Sequence, residues 1–168
     1  MQALGVVWGK VESSDNEDVR PLSKPRHFGA RLLYDYWSDC NGQGRFMVGR
    51  DVPSRALGPI MRNLMLCEPV DGGRDFRIRL AGAALLRRFG RDVTGEKYST
   101  IFRNEVASHR CSDLREMLHS GEPVMRDVSI PQGTRPQLRF EVLSVPIMAS
   151  DGKSMWALTG IFYHDWAR

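Results

Sequence analysis

The fold is decided by the stretch DFRIRLAGAALLRRFGRDVTGE, residues 75–96, which changes its hydrophobic period twice. Apolar and basic residues alternate over 76–80, the period-two pattern of a strand that buries one face and exposes the other. The apolar residues within 85–89 then recur at helical spacing, and Gly90 follows where a left-handed helix cap is expected. The stretch therefore predicts a strand, a helix of barely two turns, and a turn at 92–95 that leads into another short helix.

The composition bounds the class of protein. The chain has 168 residues, 42% of them hydrophobic, which suits one compact domain. No apolar run approaches the roughly 18 residues of a membrane helix, and the opening MQALGVVWGK lacks the features of a signal peptide. The cysteines Cys40, Cys67 and Cys111 are widely spaced and form no paired motif, so neither a disulfide framework nor a metal site is predicted. We therefore expect a cytoplasmic protein.

The rest of the chain divides by the same patterns. Residues 1–27 are polar and proline-bearing without a period, and we expect them to form a flexible N-terminal arm before a single domain over 28–168. Apolar residues at helical spacing predict a flanking helix at about 30–40 and a longer helix that begins near Glu105 and ends at Gly121. Five strands are predicted, and the last is apolar enough for the middle of a sheet: LMLCEPV, FRIRL, VMRDVSI, LRFEVLSVPI and MWALTGIFYH.

A hairpin of two strands, short helices, one longer helix and three antiparallel strands make an α+β fold, and this order resembles a PAS domain. The segments YWSDCNGQGRFMVGRDVPSRAL, FRIRLAGAALLRRFGRDVTGEKYSTIF and VLSVPI are similar to the small bacterial single-domain PAS family. The similarity runs from about Leu32 to Tyr163. It implies a five-stranded antiparallel sheet with the short helices and the longer helix on one face, plus the N-terminal flanking helix.

The resemblance also implies a function in signal transduction. We expect a stand-alone, cytoplasmic sensory or regulatory module that works by protein–protein association, as a homodimer, and that a small ligand between sheet and helices can tune. No output module such as a kinase or a DNA-binding domain is recognisable, so the signal is expected to pass by contact. The apolar stripe of the flanking helix must be covered, and its candidates for the dimer or partner surface are Leu32, Leu33, Tyr36 and Trp37.

A ligand pocket in such a domain would be lined by aromatic and sulfur-bearing side chains. The candidates are Phe89, Tyr98, Phe102, His109, Cys111, Leu114, Phe140 and Trp156. Two interpretations stay open, because the same side chains can simply fill the core and leave no room for a ligand. If a pocket exists, Tyr98, His109 and Trp156 are expected to supply its polar groups. The pattern names no cofactor.

Catalysis is not expected. No nucleophile lies at a recognisable spacing from a base, and no metal-ligand motif is present. Asp127 and Glu141 fall on neighbouring predicted strands, but their alternation with apolar residues predicts that they face water and pair with Arg126 or Arg139.

The net charge of +4 leaves one alternative function, an arginine-rich binder of nucleic acid or of an anionic nucleotide. The basic residues are interleaved with 20 acidic ones along the whole chain, which favours a solvated surface instead. The residues that would carry the alternative are Arg77, Arg79, Arg87, Arg88 and Arg91.

Overall fold

The computed structural model describes residues 17–164 of the chain, which form one antiparallel sheet with helices on both faces. The strands are β1 Asp18–Pro21, β2 Leu64–Val70, β3 Asp75–Ala81, β4 Val124–Gln132, β5 Arg135–Met148 and β6 Met155–Tyr163. The α-helices are α1 Phe28–Gly42, α2 Ala83–Phe89, α3 Tyr98–Ile101 and α4 Asn104–Ser120. A 3₁₀ helix, Arg55–Asn63, precedes β2, and a single 3₁₀ turn, Asp71–Gly73, joins β2 to β3.

The strands lie in the order β1-β4-β5-β6-β2-β3, and every neighbouring pair is antiparallel. The apolar β6 lies between β5 and β2, as its composition predicts, and residues 157–162 are buried. A central strand that is covered on both faces has no water-facing side, so it reads as a continuous apolar run.

The sheet separates two hydrophobic clusters. The α4-side cluster lies between the sheet and α2, α3 and α4 and includes Phe76, Phe102 and Phe140. The α1-side cluster lies between the opposite face and α1 with the segment before β2, and includes Leu33 and Leu143. Successive residues of a strand point to opposite faces, so β5 contributes to both clusters.

The stretch 75–96 folds as its pattern predicts, apart from the start of α3. Gly90 ends α2 in the left-handed conformation, with φ of 74°. Gly82 lies so close to the carbonyl group of Arg62 that a Cβ atom would overlap it. Beyond α2 the chain returns to β3: the Gly95 N–H donates to the Ile78 carbonyl at 2.7 Å, and the next short helix begins only at Tyr98.

The prediction of five strands was wrong by one. The additional strand, β1, lies within the segment expected to be an arm and pairs with β4 from Asp18 opposite Ser129 to Pro21 opposite Arg126. Its four residues are all exposed, so no hydrophobic period announced it. Residues 1–16 of the expected arm, and 165–168 at the end of the expected domain, lie outside the described residues. Between residues 17 and 164 no helix has both the length and the hydropathy to cross a membrane.

Candidate functional site

A small cavity, called here the α4 cavity, lies between α4 and the sheet on the side of the α4-side cluster. Its volume is about 20 Å³, which is room for about one water molecule. The apolar part of its wall is Met65, Leu114, Val124 and Val142. The polar part is Tyr98, Arg110, Asp113, Arg126, Ser144 and Thr159. More than half of the lining residues are therefore polar, and Asp113 and Arg126 keep about a quarter of their side chains exposed, so the cavity lies at the edge of the core.

The sheet side of the α4 cavity carries a pair of hydroxyl groups. Ser144 on β5 and Thr159 on β6 are cross-strand partners, and their side-chain oxygens are 2.8 Å apart. Both residues are buried. The pair holds two hydroxyl hydrogens and the bond between them uses one, so one hydrogen remains for a third partner. A buried hydroxyl pair of this kind can orient a polar atom placed in the cavity.

Tyr98 lies beside this pair and is held by a sulfur contact. Its hydroxyl oxygen is 3.3 Å from the Sγ atom of Cys67. Burial raises the pKa of Tyr98 well above its ordinary value, so the side chain remains a neutral phenol near pH 7.

Two arginines of the α4 cavity wall, one on β4 and one on α4, are both paired. Arg126 on β4 donates two hydrogen bonds to Asp113, from Nε at 3.1 Å and from Nη2 at 2.9 Å. Arg110 on α4 is only 10% exposed at its side chain, and its Nη2 group donates to the carboxylate of Glu17, just before β1. Glu17 therefore reaches the wall of the cavity.

Six of the eight predicted pocket residues lie together in the α4-side cluster: Phe89, Tyr98, Phe102, Cys111, Leu114 and Phe140. Only Tyr98 and Leu114 also line the α4 cavity. The aromatic rings pack on one another, with the centroids of Tyr98 and Phe102 at 5.0 Å in an edge-to-face arrangement. These side chains fill most of the space between helices and sheet, and the α4 cavity is the space that they leave at one end.

The other two predicted pocket residues lie elsewhere, and their placement was wrong. His109 is exposed, because α4 turns its Arg110, Cys111 and Leu114 positions towards the sheet and carries His109 away from it. Trp156 packs beside the α1-side cluster on the opposite face, with the guanidinium carbon of Arg79 5.6 Å from its ring centroid. The sequence contains the alternation of β6 but not which set of residues faces α4.

The buried thiols of Cys67 and Cys111 are not activated as nucleophiles. Burial raises the pKa of Cys67 to about 12. Burial and, secondarily, the charge of Asp75 raise the pKa of Cys111 to about 12. A thiol must ionise to act as a nucleophile, so both are inert near neutral pH. Asp75 itself accepts hydrogen bonds from the Phe76 and Ser99 backbone N–H groups, which join β3 to α3.

Comparison with known proteins assigns the chain to a family. A family model described as a PAS domain matches residues 26–163, which is most of the chain. The chain belongs to the PAS domain family. Neither the curated proteins nor the solved structures gave a match. The match confirms the predicted family and the α+β fold class, and it makes the chain a sensory or regulatory module in the general sense of PAS domains.

The flanking helix of this PAS domain buries two of the four residues that were expected at a partner surface. Leu33 and Trp37 lie inside the α1-side cluster, because α1 packs on the domain's own sheet. Leu32 and Tyr36 are half-buried beside them, and Phe28 at the start of α1 is 60% exposed.

Sequence reasoning also placed Glu141 wrongly. It was expected to face water, yet it is 2% exposed and lies on the α1 face of β5. Its two carboxylate oxygens accept hydrogen bonds from the backbone N–H groups of Arg26, at 3.0 Å, and His27, at 2.9 Å. The apolar stripe of α1 was the available signal, because a helix with such a stripe must cover some sheet face. Asp127, the cross-strand partner of Glu141, pairs with Arg139 at 3.4 Å as predicted.

The arginines of the nucleic-acid alternative are dispersed, and three of them have partners inside the PAS domain. Arg79 pairs with Glu68 at 3.3 Å, and Arg91 forms an ion pair with Glu96. The guanidinium carbon of Arg88 lies 4.0 Å from the ring centroid of Tyr163. Through these contacts, part of the positive charge of the arginines is paired within the domain.

Proposed function

We propose that this PAS domain is a cytoplasmic regulatory module that acts by protein–protein association as a homodimer. The association is tuned by what occupies the α4 cavity. One observation carries the proposal: β5 joins the cavity to the flanking helix. Ser144 of β5 lies on the cavity wall, and three residues earlier Glu141 holds the start of α1 through two backbone hydrogen bonds.

The connection between the α4 cavity and α1 is short and rigid enough to transmit a displacement of β5. A ligand that bonds the Ser144 hydroxyl acts on β5 directly, and β5 is hydrogen-bonded along both edges to β4 and β6. Packed interiors transmit a local displacement because they contain few voids that absorb it. A displacement of β5 therefore moves Glu141, and Glu141 moves the N-terminal turn of α1 with it.

The outer surface of α1 supports the second half of the proposal. Phe28 is 60% exposed, and Leu32 is half-buried one helical turn later. Residues four apart lie on the same face of a helix, so the two form a small apolar stripe. A second copy of α1 would cover this stripe and respond to any movement of the helix.

No catalytic role is proposed. PAS domains are in general sensory or interaction modules, and the thiols of Cys67 and Cys111 are protonated at neutral pH. The output of the domain is then a change in its association with a protein partner.

The association is tested by native mass spectrometry and sedimentation of the wild type, Phe28→Ser and Leu32→Ser. Asp35→Ser is the matched control, since Asp35 is an exposed residue of the same helix. We expect a dimer at micromolar concentration that Phe28→Ser weakens by about tenfold or more, because about 1.4 kcal/mol of lost apolar burial corresponds to that factor. The same spectra report any retained small molecule.

A wild type that stays monomeric at high micromolar concentration overturns the homodimer. So does a dimer that both α1 variants leave as tight as the control does.

A further inference from the structure

The start of α1 is capped by an imidazole ring. The Nδ1 atom of His27 accepts a hydrogen bond from the Gly29 N–H at 3.0 Å, in the position that a hydroxyl or carboxylate oxygen has at many helix starts. A ring nitrogen accepts a hydrogen bond only while it carries no proton. Imidazole is the side chain that gains or loses its charge between about pH 5 and 8. The cap of α1 therefore depends on the protonation state of His27.

The capped turn packs closely against β6. A Cβ atom on Gly29 would lie 2.5 Å from the ring of Phe162, and one on Gly160 would lie 2.5 Å from the same ring. The ring of His27 stacks on Phe162 with the centroids 5.4 Å apart, and on Phe28 with the centroids 5.0 Å apart. Phe162 is therefore enclosed by two glycines and an imidazole, and the surrounding space contains little room that could absorb a movement of His27.

Charged groups on several elements act on a proton at His27. Among residues 17–164, those around His27 and its partner Glu141 are Arg26, Arg31, Asp127, Arg139 and His164.

The carboxylate of Glu141 favours a positive charge on His27, although its two oxygens already accept backbone N–H groups. The positive end of the helix dipole opposes that charge, and so does protonation of His164, whose ring centroid is 5.7 Å away. This balance sets the pH at which His27 gains its proton. At any such pH the protonated Nδ1 faces the Gly29 N–H as a second donor, so the cap is lost.

We propose that His27 is a pH-sensitive latch for the partner surface of α1: the neutral ring holds the first turn, and protonation releases it and weakens the homodimer. Phe28 follows His27 directly in the chain and is 60% exposed. Gly29 is buried, so loss of its acceptor leaves a buried N–H unpaired and favours opening of the turn. The stripe of Phe28 and Leu32 then loses its fixed position. This inference rests on the proposed function, because it names a signal that regulates the same surface.

The test compares the full-length wild type with His27→Asn at about pH 7.5 and about pH 5.5. Asparagine caps helices well and does not titrate, so this variant keeps the cap at both pH values. His109→Asn is the matched control, because His109 is an exposed histidine on α4. His164→Asn removes the imidazole beside His27 and leaves His27 in place. Every carboxylate is present in all four proteins, so titration of Glu141 cancels in the comparison.

Sedimentation measures the dimer. The Kd of the wild type, His109→Asn and His164→Asn should rise about fivefold or more at the lower pH, because a helix cap is worth roughly that factor in an equilibrium constant. The Kd of His27→Asn should change by less than about twofold.

Hydrogen exchange of the Gly29 amide measures the latch itself. Its protection factor should fall by about fivefold at the lower pH in the wild type and should stay constant in His27→Asn.

The inference is overturned if His27→Asn loses affinity at the lower pH as strongly as the wild type, or if only His164→Asn abolishes the pH dependence. A wild-type dimer that is equally tight at both pH values, with equal Gly29 protection, refutes the latch and leaves the association intact. A monomer at both pH values whose Gly29 amide loses protection only when His27 is present refutes the homodimer and supports the latch.

Discussion

Replacement of Glu141 by Gln tests the connection between β5 and α1 directly. The carboxylate is buried, and each of its oxygens accepts one backbone N–H, from Arg26 and from His27. Glutamine keeps one acceptor oxygen but places an NH₂ group against the other N–H, so two donors face each other. Hydrogen bonds to charged groups contribute about 1.5–3 kcal/mol each, so we expect a loss of about 2–3 kcal/mol in the free energy of unfolding.

The assay is urea unfolding followed by circular dichroism, with thermal unfolding as a second measurement. A loss of this size lowers the Tm by roughly 5–10 °C for a domain of this length. Asp127→Asn is the matched control, because Asp127 is the cross-strand partner of Glu141 and pairs with the half-exposed Arg139. The Asp127 side chain is only 12% exposed, but its one ion pair in the described residues is long and its arginine is half-exposed, so the control should cost about 1 kcal/mol, less than Glu141→Gln.

Native-state hydrogen exchange locates the effect. In Glu141→Gln the amides of Arg26 and His27 should exchange faster, whereas the ladder between β5 and β6 should keep its protection. If the free energy of unfolding of the variant lies within about 0.5 kcal/mol of the wild-type value, the two hydrogen bonds do not hold α1. The proposed route through β5 then fails.

Two further predictions concern packing and pH. Leu33→Ala should cost about 2–5 kcal/mol because its side chain is fully buried, whereas Leu32→Ala on the same helix should cost far less; equal losses in urea unfolding would mean that α1 is oriented differently. The folded pKa of about 12 for Cys67 and Cys111 lies above the unfolded value of about 8.5. The contribution of the buried neutral thiols to the free energy of unfolding is therefore complete below about pH 8.5 and is lost as the pH rises towards 12. Cys67→Ala should flatten this decline by up to about 1.4 kcal/mol per pH unit, and parallel declines in wild type and variant would exclude the thiol as its cause.

The elements with a strong local pattern were predictable. The alternation in β3, the helical spacing in α2 and the glycine that ends α2 all lie within 75–96, and each follows from neighbouring residues alone. The long helix was predicted near Glu105 to Gly121 and runs over Asn104–Ser120. β1 was missed because its four residues bury nothing and are ordered by the hydrogen bonds of β4.

The candidate site depended on information that local patterns do not contain. Six pocket candidates lie together because their segments, α2, α3, α4 and β5, all contribute to the α4-side cluster. His109 and Trp156 were misplaced because a hydrophobic period shows which residues share a face of a helix or strand, but not which side of the sheet that face contacts. The polar wall residues Arg110, Ser144 and Thr159 come from two distant parts of the chain, and no spacing in the sequence joins them.

The sequence by itself determined the class of fold and the family, because hydrophobic period, turn glycines and the PAS-like segments are properties of contiguous residues. Tertiary structure alone decided that α1 covers the domain's own sheet, that Glu141 is buried beneath its start, and that Glu17 reaches Arg110 across 93 positions of the chain. These outcomes depend on which surfaces remain uncovered once the sheet has formed. A buried charge takes whichever partner that arrangement brings within hydrogen-bond distance, and the partner's position in the sequence has no influence on the choice.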